Sequence, residues 1–297
     1  MKKVKIIANP SSGKELAITV LKELLPLFGA HGISLHLDFT LGPGDAARSA
    51  ERDDGEELIV SIGGDGTVHE VVGGMVAGSR KVPLAIFPGG TVNDFAEYLK
   101  IPKDPKEFFR MLQRGHTISS DVGLANDRAF INVCAGGLFA DVGYSVEGST
   151  KTALGKFAYY LEGFRTFLSR DPEDEKSFPL RIEMEEGSLE VDAMLFLIAN
   201  STSVGGFEHM ARRASIDDGK LDVIVIEEMK IPDALRLLDD LRRGKHTENE
   251  KVHYFQTAAF TVESDREIPV DIDGEEGGRL PLKIRVLERA LTIVDNQ

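Results

Sequence analysis

The stretch Leu58-Ile59-Val60-Ser61-Ile62-Gly63-Gly64-Asp65-Gly66-Thr67-Val68-His69-Glu70-Val71-Val72-Gly73-Gly74-Met75 opens with five strand-like residues, packs three glycines around one aspartate, and passes at once into a helical pattern. Strand, glycine turn and helix in that order form the unit from which phosphate-binding α/β sheets are built. Two common versions of the unit are excluded by single residues. Gly64-Asp65-Gly66 fits the start of the dinucleotide pattern G-x-G-x-x-G, but His69 occupies the position where a third glycine permits close helix–strand packing. The Walker pattern fails around Gly13-Lys14, since Glu15 follows in place of a hydroxyl residue and Ala8 stands where the first glycine belongs. No G-x-S-x-G elbow and no H-E-x-x-H pair occurs, which removes the common hydrolase and zinc-protease readings.

An aspartate inside a phosphate loop would repel a bare phosphate, and it makes sense if a cation lies between the two. Mg²⁺ is typically held by one or two carboxylates plus water while it bridges phosphate oxygens. Asp65 would hold that ion, directly or through water, and the amides of Gly64, Gly66 and Thr67 at the helix N-terminus would meet the phosphates. The alternative is that Asp65 and Thr67 only cap a helix from Val68 to Ala77. A second loop, Phe87-Pro88-Gly89-Gly90-Thr91-Val92-Asn93-Asp94-Phe95-Ala96, again follows a strand and adds Asn93 and Asp94 as polar groups. Near the C-terminus, Val270-Asp271-Ile272-Asp273-Gly274-Glu275 carries three carboxylates, which strand alternation would place on similar sides. An exposed acidic turn is the plainer reading of that segment.

Around these loops the first 120 or so residues alternate strand and helix: Lys3–Ala8, a helix over Glu15–Leu27, Ser34–Phe39, a helix in Pro43–Arg52, Leu58–Ile62, Val68–Ala77 and Pro83–Phe87. Strands without polar alternation, each followed by a helix, indicate a parallel sheet covered on both faces. Ligands of such sheets bind outside the carboxyl ends of the strands, where Asn9–Gly13 and both glycine loops fall. From about Asp121 the pattern changes to strand-like segments at 128–135, 179–187, 189–201, 220–228, 251–264, 266–273 and 280–288, with helices only around Leu154–Leu168 and Pro232–Arg243. Strands separated by turns suggest an antiparallel sandwich or barrel. The polar run Ser169–Ser177 reads as a mobile loop.

The bulk properties narrow the function classes. A chain of 297 residues with 42% hydrophobic and 28% charged residues is expected to be globular, with two domains. It has no apolar run of the ~18 residues that a membrane span requires. The first residues carry only a four-residue apolar run before Asn9, and a single cysteine, Cys134, excludes a disulfide framework or a multi-cysteine zinc site; the expected setting is the cytoplasm. A net charge of −14, from 35 basic and 49 acidic residues, argues against general nucleic-acid binding and against adhesion to anionic lipid by charge alone. Two basic clusters, Lys100, Lys103, Lys106, Arg110 and Arg114, and Arg242, Arg243, Lys245 and His246, read first as solvated helix faces.

Taken in order and spacing, Asn9-Pro10-x-x-Gly13, Gly63-Gly64-Asp65-Gly66-Thr67, Gly89-Gly90-Thr91-x-Asn93-Asp94-Phe95-Ala96 and Asp273-Gly274-Glu275 resemble the soluble lipid kinases of the diacylglycerol kinase catalytic-domain family. Lys156–Tyr160, Gly205–Glu208, Asp217-Asp218-Gly219, Arg243-Gly244-x-His246-Thr247 and Gly277-Gly278-x-Leu280-Pro281 extend the likeness along the chain toward the Gram-positive branch, with His69 where the family usually has asparagine. The resemblance implies a doubly wound α/β nucleotide-binding domain of the NAD kinase and diacylglycerol kinase type, residues 1–122 and 288–297. It also implies a β-rich, sandwich-like lipid-substrate domain, residues 123–287. It further implies ATP as phosphoryl donor, Mg²⁺, diacylglycerol as substrate, transient contact with the inner face of the membrane, and a homodimer. The family's nucleotide contacts carry over to Asn9, Thr40, Gly64, Asp65, Gly66, Thr67, Val68, His69, Glu70 and Thr91, with Asn93 beside them, and Lys14 is a further phosphate or head-group candidate. Glu275 corresponds to the general base, with Asp65 and Asp273 as catalytic partners. A metal site corresponds to Asp218 with the carbonyls of Ser215 and Lys220, and Asp121 to an Asp–water–Mg²⁺ network with Asp65. A kinase of another lipid alcohol or sphingoid base, an NAD kinase, and a non-catalytic nucleotide-binding regulator stand as alternatives.

Overall fold

The structure, a computed structural model, describes residues 1–13, 16–137, 177–204 and 209–296. Lys14, the expected helix around Leu154–Leu168, nearly all of the polar run Ser169–Ser177, and the Lys156–Tyr160 and Gly205–Glu208 motifs lie outside the described residues. The chain divides into two compact units, Met1–Val122 with Glu288–Gln297, and Gly123–Leu287.

The first unit is an α/β sheet. Its strands β1 (Lys3–Ala8), β2 (Ser34–Phe39), β3 (Leu58–Gly63) and β4 (Leu84–Pro88) are parallel in the order β2-β1-β3-β4. Every residue of β3 and β4 is buried, which is why these segments show no polar alternation. Helix α1 (Leu16–Ala30) buries Ala17, Val20, Leu21, Leu24 and Phe28, the stripe that its helical spacing predicts. Helices α2 (Asp45–Glu51) and α3 (Asp65–Ala77) fill the next two crossovers. Helix α3 begins three residues before Val68, so Asp65, Gly66 and Thr67 belong to its first turn rather than to a preceding cap. After β4 come the short α4 (Asp94–Tyr98), α5 (Pro105–Arg114) and strand β5 (Thr117–Ala125). Asp104 caps α5 by accepting the Lys106 and Glu107 amides, Pro105 takes the first helical position, and Gly115 closes it at φ 66°. The basic residues of that segment do form a solvated face: Lys103, Lys106, Arg110 and Arg114 are exposed while Phe108, Phe109, Met111 and Leu112 are buried.

The second unit is β-rich, as expected. Strands β7 (Val133–Gly137), β8 (Phe178–Met184), β9 (Gly187–Ala199), β10 (Leu221–Glu227), β11 (Val252–Thr257), β12 (Ala259–Glu263), β13 (Pro269–Ile272) and β14 (Glu275–Arg279) pair antiparallel with one another. The 13-residue β9 is the hub, since it pairs with β8 through its first half and with β7 and β10 through its second. Alternation along it sends Phe196 and Ile198 into one apolar cluster and Leu195 and Leu197 into another, which helix α6 (Ile231–Arg243) closes with Ala234, Leu237 and Leu241. Two segments that read as single strands are broken. Residues 128–135 split into β6 (Arg128–Phe130) and β7, because the Ile131, Asn132 and Val133 amides turn toward the Asp273 carboxylate. Residues 251–264 split into β11 and β12 at Ala258, whose carbonyl accepts the Val286 amide. The final strand β15 (Leu282–Val294) pairs with β12 within this unit, and its last residues belong to the first unit, where Ile293 pairs parallel with Leu84 of β4.

Helices α2 and α3 meet backbone to backbone: a Cβ on Gly74 would lie 2.1 Å from the Ala47 carbonyl oxygen, whereas one on Gly73 would meet nothing within 4 Å. Gly73→Ala is therefore expected to stabilise the protein by up to ~1 kcal/mol, the usual gain of alanine over glycine in a helix. Gly74→Ala should destabilise it by ~1–3 kcal/mol through forced separation of the two helices. Denaturant midpoints of the two variants check this, and equal shifts in the same direction would contradict it.

Candidate functional site

Three loops follow the carboxyl ends of β1, β3 and β4, and their backbones touch. Gly13 has φ +55°, and a Cβ there would fall 2.2 Å from the Gly89 carbonyl oxygen. A Cβ on Gly90 would fall 2.5 Å from the Gly64 Cα. No other residue type fits either position without moving a loop. The glycines therefore serve close approach of main chain to main chain, leaving amide groups as the lining.

The polar side chains of these loops hold the loops together. Asp65, half-buried, accepts the Asn93 amide at 2.8 Å on Oδ2 and the Asp94 amide at 3.0 Å on Oδ1, so it clips the second glycine loop to the first turn of α3. Asn93, in the left-handed region at φ 58°, accepts the Gly90 amide and donates back to the Gly90 carbonyl, both at 2.8 Å. Asn9 donates through Nδ2 to Thr67 Oγ1 at 3.2 Å and accepts the Ser11 amide at 3.0 Å. These three, expected as nucleotide contacts, brace the loops with the atoms described. The Val68 side chain is buried and its amide bonds to the Gly64 carbonyl at 3.1 Å, so Val68 packs into the core behind the first turn of α3. Upstream of it, the amides of Gly66 and Thr67 stand in the first turn of a 13-residue helix, where intrahelical acceptors do not exist. Thr91 is exposed at the tip of the second loop, and Thr40 and His69 are half-buried. Glu70 turns to helix α2: its Oε1 accepts the Gly44 amide at 2.8 Å and its Oε2 the Ala46 amide at 3.0 Å.

The expected metal ligands fall into two places. In the first unit Asp121 is fully buried and accepts the Arg289 amide at 2.6 Å, which fixes the returning strand at a residue with φ 48°. In the second unit Asp218 is exposed, and its Oδ1 accepts the Lys220 amide at 3.0 Å across Gly219, while Ser215 Oγ bonds to Asp217 at 2.6 Å. This turn is anchored by Asp222, buried beneath it, which receives hydrogen bonds from the Tyr254 hydroxyl and from Gln256 Nε2. Burial pushes the Asp222 carboxyl up. The Tyr254 hydroxyl accepts the Arg213 amide at 2.9 Å in turn. Among the described residues no group of three His, Cys, Asp or Glu side chains could hold a metal ion. The carboxylate of Asp65 is a single hard oxygen donor in the first turn of α3. Such a donor set fits a largely hydrated Mg²⁺ and does not fit a closed all-protein cage.

In the second unit the segment 271–275 departs from simple alternation. Asp273 and Gly274, at φ 52° and 89°, form the two-residue turn between β13 and β14, the geometry that Asp-Gly favours in hairpins. Asp271 Oδ1 accepts the Gly274 amide at 2.9 Å. Asp273 is buried, and its carboxylate accepts three amides at 2.9 Å each: Ile131 on Oδ2, Asn132 and Val133 on Oδ1. Glu275 stands exposed at the start of β14. The three carboxylates thus do not share a side, and Asp273 is an anchor for the turn that presents Glu275. Sequence reasoning missed this three-amide grip; the one available sign was Asn132 interrupting an otherwise apolar run.

Comparison with known proteins places the chain. Residues 3–125 match the model described as diacylglycerol kinase catalytic domain, and residues 132–295 match that of a YegS C-terminal NAD kinase beta sandwich-like domain. A diacylglycerol kinase of Staphylococcus epidermidis is 34% identical over 98% of this chain and 92% of its own length. One from Staphylococcus aureus is also 34% identical, with the same coverage. A crystal structure of a diacylglycerol kinase from Bacillus anthracis superimposes with a TM-score of 0.81 at 28% identity, covering 99% of this chain and 97% of that one.

Replacement of Asp273 by asparagine leaves one acceptor oxygen and sets an NH₂ group against a backbone donor. Asp273→Asn is expected to lower stability by ~1–3 kcal/mol, the cost of stranding a buried donor. Chemical denaturation checks this. An unchanged midpoint together with lost turnover would instead place Asp273 in the chemistry.

Proposed function

The chain belongs to the diacylglycerol kinase catalytic-domain family of lipid kinases, and from that membership we propose that it transfers the γ-phosphoryl group of ATP to the primary hydroxyl of diacylglycerol, giving phosphatidic acid. The observation that carries the reading of the site is the contact of three glycine loops at the carboxyl edge of a parallel sheet, braced by Asp65. Phosphoryl transfer makes small covalent demands on a protein and large demands on positioning and charge neutralisation.

In this reading the amides of Gly64, Gly66 and Thr67 and the hydroxyl of Thr91 hold the triphosphate. Asp65 has a double task, keeping the two loops in register and orienting the water shell of Mg²⁺. When bound, Mg²⁺ neutralises charge on the phosphate oxygens. Asp121 supports the same region by fixing the returning strand. In the second unit Glu275, held on the turn that Asp273 anchors, accepts the proton of the attacking lipid hydroxyl. Asp218, with the carbonyls of Ser215 and Lys220, would hold a second, structural Mg²⁺ on the turn secured by Asp222 and Tyr254. The lipid substrate brings the protein to a membrane surface. Among the described residues no helix is long and apolar enough to cross a membrane. Peripheral membrane contact and a homodimer are the proposed arrangement.

With labelled ATP and mixed micelles carrying diacylglycerol, a sphingoid base or another lipid alcohol in turn, label is expected in phosphatidic acid; label only in a different lipid would redirect the substrate. NAD incubated with ATP should yield no product. Glu275→Gln and Asp65→Ala should each lower kcat by at least ~100-fold, within the range for a positioned proton acceptor, while both variants remain folded by circular dichroism. Near-normal turnover by Glu275→Gln would remove it from the base position.

A further inference from the structure

A proton acceptor works only within hydrogen-bond reach of its proton, roughly 2.6–3.2 Å between heavy atoms. The strand that carries Glu275 is poorly placed for such precision. β14 is the last strand of its sheet, and among the described residues β13 is its one strand partner, so one edge of β14 has no ladder to hold it. The grips described above act before Glu275: Asp273 takes three amides of residues 131–133, and Asp271 accepts the Gly274 amide. After Glu275 the chain runs through Glu276 into Gly277-Gly278. There the register with β13 shifts between Val270 and Asp271, and Gly278 has φ 88°. Such a bulge disrupts the ladder locally.

One side chain grips this second side. Arg128 Nη1 donates to the carbonyl of Glu276, the residue next to Glu275. A bond from a charged donor is stronger than a neutral one, and a guanidinium presents its donors in a rigid fork. The mount of Arg128 is firm. It begins β6, which pairs with β5 so that Ala125 lies opposite Arg128 and Gly123 opposite Phe130. Phe130 is buried with its ring on Gly123, where a Cβ would fall 2.1 Å from the ring. At the turn between the two strands, the Asn126 amide donates to the Lys283 carbonyl at 2.8 Å and Asn126 Oδ1 accepts the Lys283 amide at 2.9 Å. The hairpin is thus tied to β15 before its arginine reaches β14. Arg128 itself is exposed, so replacing it takes no volume from the core.

We propose that Arg128 is a positioning residue for Glu275: by holding the Glu276 carbonyl it fixes the side of the turn that Asp273 does not reach, and so aims the Glu275 carboxylate. The proposal rests on the reading of Glu275 as the proton acceptor. In the full-length protein assayed with diacylglycerol micelles, Arg128→Met keeps a long side chain and removes the donors. It should lower kcat on the order of tenfold, less than the ~100-fold that a 1 Å misplacement can cost, with KM for ATP within about twofold of the parent. The deciding measurement is the double variant. Where Glu275→Gln has already removed the acceptor, Arg128→Met should lower kcat no further, because residues that act as one unit are not additive. Losses that multiply in the double variant overturn the proposal, as does an unchanged kcat in folded Arg128→Met. A raised KM for ATP at unchanged kcat also overturns it, and would make Arg128 a phosphate contact. If Arg128→Met does not fold, Asn126→Gly takes its place, since glycine keeps the left-handed turn at φ 55° and unties it from the Lys283 amide; losses that multiply with Glu275→Gln overturn the proposal equally. Near-normal turnover by Glu275→Gln alone would defeat the proton-acceptor reading itself, a result separate from these.

Discussion

The first unit is organised around the approach of main chain to main chain between the loops after β1, β3 and β4. Gly13 against Gly89, and Gly64 against Gly90, come so close that no side chain fits between them. Such contact concentrates peptide dipoles beside the first-turn amides of α3, which have no intrahelical acceptor, a setting suited to anions. It also imposes a requirement, since loops without side chains between them have little apolar surface to keep them together. The Asp65 carboxylate meets that requirement by taking two amides of the neighbouring loop, while Asn93 closes that loop on itself and Asn9 ties the first loop to Thr67. An aspartate is needed because it offers two acceptor oxygens on a stem short enough to stay in the first turn of α3.

The same device recurs elsewhere with other partners. Asp273 gathers three amides and thereby sets the turn before Glu275. Glu70 gathers two and sets the turn at Thr40–Gly44. In each case a carboxylate is satisfied by backbone donors, and bonds of this charge-assisted kind are stronger than neutral ones. A division of labour follows for the proposed reaction: Asp65, Glu70 and Asp273 hold main chain in place. The lipid kinase family membership and the fold of each unit agree with that arrangement, with the nucleotide reading on the first unit and the proton acceptor on the second.

The sequence exposed the fold more fully than the site. Unbroken apolar runs such as Leu58–Ile62 and a helical stripe such as Ala17–Phe28 obey one rule over their whole length, so β1, β2 and α1 fall where periodicity puts them. The breaks at Ile131-Asn132 and Ala258 escaped, because each depends on a carbonyl or carboxylate distant in the chain. The site loops were legible as loops: glycine pairs after strands announce close backbone approach. Which atom of Asp65, Asn93 or Asn9 faces which partner was not legible, since a polar side chain beside a phosphate loop serves a ligand or the loop with the same residue type. Alternation likewise misplaced Asp273, for the left-handed turn that buries it depends on amides 140 residues away.

The most direct test of this account is a crystal structure of the protein with a non-hydrolysable ATP analogue and Mg²⁺. The account predicts the triphosphate against the amides of Gly64, Gly66 and Thr67, with Asp65 still accepting the Asn93 and Asp94 amides and the ion reached through water. A nucleotide bound away from these loops, or an Asp65 released from both amides to ligate the metal alone, would contradict it.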